Sequence, residues 1–136
     1  MKRVLMPLLV AVALVAIAAA GWWFKRPAEA VAVTCPNPVA GCAFSHAGTT
    51  VRARFLTAPE VLEPFDLVVE APGVHRVSAE FQMVGMDMGF NRYDLRTANG
   101  VYRARITLPV CVSSRQDWIL YLDVDGRRYA IPFSST

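Results

Sequence analysis

Apolar and polar residues alternate with a period of two along most of this chain, in short runs separated by Pro, Gly, Asn and Asp. A period of two is the repeat of a strand, whose successive side chains point to opposite faces, so the pattern predicts half-buried β-strands. The runs cover residues 49–55, 65–71, 75–83, 90–95, 101–108, 118–123 and 128–133, with a further short candidate at 31–34. Val51, Ala53 and Phe55 share one face while Arg52 and Arg54 take the other. Tyr102, Ala104, Ile106 and Leu108 oppose Val101, Arg103, Arg105 and Thr107 in the same way. Trp118, Leu120, Leu122 and Val124, followed by Tyr129, Ile131 and Phe133, form the inward series of the last two runs. Asp125-Gly126 lies between them and suits a type I′ hairpin, in which both central residues need positive φ. Ala71-Pro72-Gly73 and Ala98-Asn99-Gly100 mark two more turns, and Pro59 and Pro64 make 56–64 a loop or edge crossing. Seven strands with one dry face each need two facing sheets. The pattern therefore predicts an all-β fold, an immunoglobulin-like two-sheet β-sandwich.

One segment breaks the period. Residues 4–24 hold 21 positions without a charge, enough as a helix to cross a hydrocarbon core of about 30 Å. It reads as a retained anchor or as a signal peptide cleaved near Ala18, Ala19 and Ala20. Trp22, Trp23 and Phe24 favour retention, because an anchor places them in the interfacial belt. Lys2 and Arg3 hold the N-terminus in the cytoplasm, with Lys25 and Arg26 opposing that bias from the other flank. The expected division is an N-terminal transmembrane anchor or signal segment at 1–26, a tether at 27–34 and an exported sandwich at 35–136. The expected setting is a single pass through an inner membrane, residues 4–24 in the lipid bilayer and the domain in the periplasm.

Composition narrows the function. The chain has 136 residues, too few for a multidomain enzyme, with 14 Lys+Arg against 11 Asp+Glu. Four of the basic residues flank the apolar segment, which leaves ten Arg against eleven acids in 27–136. The basic balance thus belongs to the terminus, and no nucleic-acid partner is expected, although a local cluster such as Arg52 with Arg103 is compatible with these totals. No Gly-rich phosphate loop, HExxH or nucleophile elbow appears, and no pair of acids stands with a base, so the chain reads as a non-enzyme.

The densest chemistry is sulfur. Met83, Met86 and Met88 fall within six residues, and the other two methionines, Met1 and Met6, belong to the N-terminal segment. Thioethers are soft, neutral ligands that select Cu(I) over hard ions. Gly85 and Gly89 allow a turn that brings Met83 round toward the other two. Against this stands plain packing, since Met fills irregular core gaps, above all at Met83, which continues the inward series Val77, Ala79 and Phe81. Asp87 reads as a solvated loop acid. His75 reads as a partly buried or surface histidine, or as a ligand to Cu(II) or a support behind the copper ligands, and His46 as a partly buried or surface histidine. Cys35 and Cys42 bracket a loop with two prolines and a glycine, a natural short disulfide, which leaves Cys111 as a free thiol able to strengthen a Cu(I) site. An inert buried Cys111 thiol, pairing of Cys111 with Cys35 or Cys42, or an irregular zinc site from Cys35, Cys42 and His46 are the alternatives.

The segments MVGMDMG at 83–89, NGVYRARITLPV at 99–110 and DWILYLDVDGRRYAIPF at 117–133 together resemble the YtkA-like/FixH-like family of small membrane-anchored or exported β-sandwich domains. The resemblance spans residues 60–133. It implies copper handling and oxidase maturation, with Met83, Met86 and Met88 as candidate copper ligands, Tyr102 and Trp118 as packing residues, and a metalloprotein recipient as partner. The chain departs from the family pattern in having no His directly after its methionines and in carrying three cysteines. The competing expectation is a metal-free structural or assembly-partner domain of the cell envelope.

Overall fold

The computed structural model describes residues 2–25, 29–86, 88–89, 91–110 and 116–136. The uncharged segment is one helix, α1 (Lys2–Phe24). Strands follow in chain order: β1 (Val31–Ala32), β2 (Cys42–His46), β3 (Thr49–Phe55), β4 (Phe65–Glu70), β5 (Val77–Met83), β6 (Arg92–Asp94), β7 (Arg96–Ala98), β8 (Val101–Ile106), β9 (Asp117–Val124) and β10 (Arg127–Ser134). They form two five-stranded sheets, β1-β10-β9-β5-β6 and β2-β3-β4-β8-β7. β1 runs parallel to β10 and the other pairs are antiparallel. The immunoglobulin-like two-sheet sandwich expected from the alternation is the observed fold.

The inward series named above line the space between the sheets. Phe55, Phe65, Phe81 and Phe133 meet edge to face with ring centroids 5.0 to 6.2 Å apart, the geometry that the aromatic quadrupole favours. Trp118 is fully buried at the start of β9, and its indole N–H donates to Ser135 Oγ at 3.0 Å. The Tyr102 hydroxyl donates to the Val74 carbonyl and so ties β8 to the connection before β5. Asp125 and Gly126 have φ of 45° and 84°, the two positive values that a type I′ hairpin needs.

Beyond the expected runs, the described strands depart from the sequence pattern at β2 and around Leu95. The short candidate at 31–34 gives β1, which pairs with Tyr129 and Ala130, and the Val33 N–H donates to the Ala130 carbonyl at 2.9 Å. The 90–95 run, whose first residue Phe90 lies outside the described residues, yields the short β6, and β7 follows beyond the run in the opposite sheet. Leu95 sits between them, buried, where the chain changes sheets. β2, like β7, is additional to the expected runs, and it is joined to β3 by a two-residue hairpin at Ala47-Gly48 with φ of 47° and 78°.

Residues Arg3–Phe24 form an apolar helix of 22 residues, none of it buried against the sandwich. At 1.5 Å per residue it spans about 33 Å, which matches a bilayer core. The architecture is consistent with a single-pass membrane protein.

Candidate functional site

β5 lies inside its sheet, between β9 and β6, and ends with Met83 opposite Trp118. Period two makes Met83 the last inward residue of the strand, and it is only 3% exposed. The chain then turns over the rim of the sandwich. The Val84 N–H donates to the Asp117 carbonyl at 3.0 Å, and the Met86 N–H closes a tight turn on the Met83 carbonyl at 3.3 Å. Gly85 sits in that turn with φ of 77°, where a side chain would be strained. Met86 is 37% exposed, while Met88 is half-buried and packs against the edge of the core. The Gln82 amide donates to the Gly89 carbonyl at 3.3 Å and ties the far end of the loop back to β5.

One rim thus carries Met83, Met86 and Met88. His75 is not with them. It lies beyond the opposite end of β5, exposed, and its backbone N–H donates to both carboxylate oxygens of Asp125 at 3.0 and 3.1 Å. Seven residues of strand separate the two ends by about 20 Å, so His75 cannot share an ion with the methionine turn. Cys111, the fourth sulfur of the expected site, and Asp87 both lie outside the described residues.

Cys35 and Cys42 are joined as a disulfide with Cα atoms 5.4 Å apart, which removes both as zinc ligands. His46 is held by Tyr129, whose hydroxyl lies 2.7 Å from its Nδ1 and whose ring meets it edge-on. Among the described residues no group of three His, Cys, Asp or Glu side chains converges. The described residues of the turn offer thioethers, and neutral thioethers suit a soft monovalent ion rather than a hard divalent one.

Two features lie outside the methionine turn. Asp125 serves the hairpin turn and also accepts from the His75 and Arg76 N–H groups, the latter at 2.8 Å. The His75 backbone N–H leads in holding its carboxyl below the ordinary carboxylate range. The second feature is an ion cluster on the outer face of the β5 sheet. Arg128 donates to Glu80 at 2.8 Å and lies over the Tyr121 ring at 4.4 Å. Asp123 stands 3.8 Å from Arg128 and 3.9 Å from Arg92. Glu80 and Gln82, two apart on one strand face, were the signal available in the sequence.

Burial pushes the Glu80 carboxyl up, but hydrogen bonds from Arg128 and Gln82, with the charges of Arg128 and Arg92, bring it below its ordinary value of 4.5. A depressed folded-state pKa gives stability that is present above 4.5 and is lost as pH falls through the folded value. Glu80→Gln is expected to cost about 1 kcal/mol at pH 7. Urea unfolding of the detergent-solubilised chain from pH 7 downward checks this, and the two proteins should converge in acid.

No family model, no curated protein and no solved structure matches this chain.

Proposed function

We propose that the protein is a non-enzymatic, membrane-anchored sandwich domain that binds and passes on Cu(I) at the methionine turn, on the periplasmic side of an inner membrane. In this reading it serves the maturation of a metalloenzyme such as an oxidase. The observation that carries the proposal is the turn itself. Its backbone closure from Met86 to Met83 over Gly85 keeps these two residues close in the chain at the end of β5, which supports the reading without fixing where their sulfurs lie. Thioethers donate weakly and carry no charge, so an ion held by two or three of them can leave for a stronger site. The likeness of 83–89, 99–110 and 117–133 to the YtkA-like/FixH-like pattern points the same way. Cys111 would add a thiolate donor if it approaches the rim.

Titration of the full-length protein in detergent with Cu(I), against a competing chromogenic chelator, tests the assignment. Met86→Leu with Met88→Leu keeps side-chain volume, so the fold should survive at a cost below about 1.5 kcal/mol per site. Affinity is expected to drop at least about tenfold, since a soft donor set is replaced by hydrocarbon. Unchanged affinity would remove the role given to the methionines. It would select the metal-free reading, which the burial of Met83 and the packing of Met88 on the core favour.

A further inference from the structure

The second sheet, β2-β3-β4-β8-β7, has an outer face of a different kind from the first. Strand parity places Arg52 and Arg54 of β3, Arg103 and Arg105 of β8 and Arg96 of β7 on it, all exposed. β4 contributes Asp66, Val68 and Glu70. The strands of this face carry five arginines against two acids, and Asp94 of β6 lines one groove with Arg96, Arg103 and Arg105, so the face keeps an excess of at least two positive charges. The domain's near-neutral total hides a strong segregation of charge.

Register makes the segregation sharper. Arg54, Val68, Arg103 and Arg96 follow one another across four adjacent strands in a single row. Arg96 and Arg103 are directly opposed, and like charges in that position destabilise a sheet unless an anion relieves them. Val68 points outward yet is only 2% exposed and stands outside the core cluster. The arrangement accounts for this if the aliphatic stems of its arginine neighbours cover it while their guanidinium groups reach solvent. On the first sheet the outward Arg92 and Arg128 have carboxylates within 4 Å; among the described residues none of these five does. Beside the row, an open groove of about 540 Å³ runs between the Cys35–Cys42 loop and β3, with Gly41, Ala43, Arg52, Arg54 and Glu70 in its walls.

We propose that this face docks on the anionic phospholipid headgroups of the bilayer that α1 crosses, so that the domain lies flat on its own membrane. Planar guanidinium groups bind phosphate oxygens in pairs, and a row of them on a flat sheet matches a flat array of headgroups. Reach supports the same occupant. Only residues 25–30 join α1 to β1, a length of at most about 25 Å. Phe44 and His46 of β2 meet Tyr129 of β10, the neighbour of β1, so the chain enters the domain at the flank that carries β2 and β3. The inference rests on α1 being a bilayer span and is independent of copper.

The test reconstitutes the full chain into vesicles of phosphatidylcholine alone or with phosphatidylglycerol, confirms insertion by flotation, and reads phenylglyoxal modification of each arginine by mass spectrometry. Arg52, Arg54, Arg96, Arg103 and Arg105 should react at least about threefold more slowly on the anionic vesicles. The exposed Arg76 and Arg127 should react alike on both. Salt at about 0.5 M should remove the difference. Arg54→Gln with Arg103→Gln, which keeps methylene cover over Val68, should abolish the protection of Arg52, Arg96 and Arg105. Equal reactivity on vesicles that carry the floated chain overturns the docking alone. Protection that appears only when acidic membrane proteins are added overturns it in favour of a protein partner. A chain that floats with neither vesicle overturns the anchor and the docking together.

Discussion

Trp118→Ala should destabilise the sandwich by about 3–5 kcal/mol, most of the margin that holds a domain of this size together. The indole is fully buried in the middle of its sheet, with Met83 opposite on β5 and Phe133 opposite on β10. Truncation removes that buried area and opens a cavity that two paired strands cannot close. It also strips the Ser135 hydroxyl of its indole donor in a residue that is itself buried, a second penalty of about 1 kcal/mol. Trp118→Phe separates the two, because it keeps most of the ring and loses only the N–H. Denaturant unfolding followed by far-UV circular dichroism is the measurement, since Trp22 and Trp23 of α1 would mask tryptophan fluorescence. A loss under about 1 kcal/mol for the alanine variant would contradict the enclosure of the indole.

Much of this architecture can be read from period two alone, because a strand with one dry face must alternate and its neighbours must do likewise. β3 matches its expected bounds, and β9 and β10 extend theirs by only a residue at each end. β2 was hidden by its chemistry. Its inward residues are Cys42, Phe44 and His46, and a cysteine and a histidine do not register as an apolar series. Ala47-Gly48 was the available clue, since it adopts the same positive-φ pair as Asp125-Gly126. The change of sheet at Leu95 had no local signal. Alternation says which side of a strand is buried, not which distant strand lies beside it.

The candidate sites divide along the same line. The methionine cluster and the inward direction of Met83 are local facts, readable from spacing. The separation of His75 from the methionines depends on β5 staying extended between them, and its hold on Asp125 depends on a hairpin 50 residues away. The arginine face shows the limit most plainly. Parity puts Arg52, Arg54, Arg103 and Arg105 outward on their own strands, but only the order β3-β4-β8-β7 sets them side by side and brings Arg96 against Arg103.

Reduction of the Cys35–Cys42 disulfide should cost about 2–3 kcal/mol, the chain entropy returned to the unfolded state by opening a ring of this length. The bond closes the crossover from β1 in one sheet to β2 in the other, and both cysteines are buried in the core cluster. Much of the crossover is ordered without it. The Asn37 side chain accepts from the Val39 and Ala40 N–H groups at 3.1 and 3.3 Å, and the Phe55 N–H donates to the Pro38 carbonyl at 3.0 Å. The loss should therefore lower the unfolding midpoint without melting the sandwich. Cys35→Ala with Cys42→Ala should reproduce the effect of dithiothreitol on the parent, and dithiothreitol should then have no further effect. Cys111→Ser should leave the sensitivity to reductant intact; its disappearance in that variant would mean that Cys111 is one of the paired cysteines. Because the same loop walls the groove beside Arg52 and Arg54, reduction should also weaken the lipid-dependent protection of those two arginines more than that of Arg96 and Arg105. Reducing conditions would thus deprive the domain of stability and of one wall of its basic face.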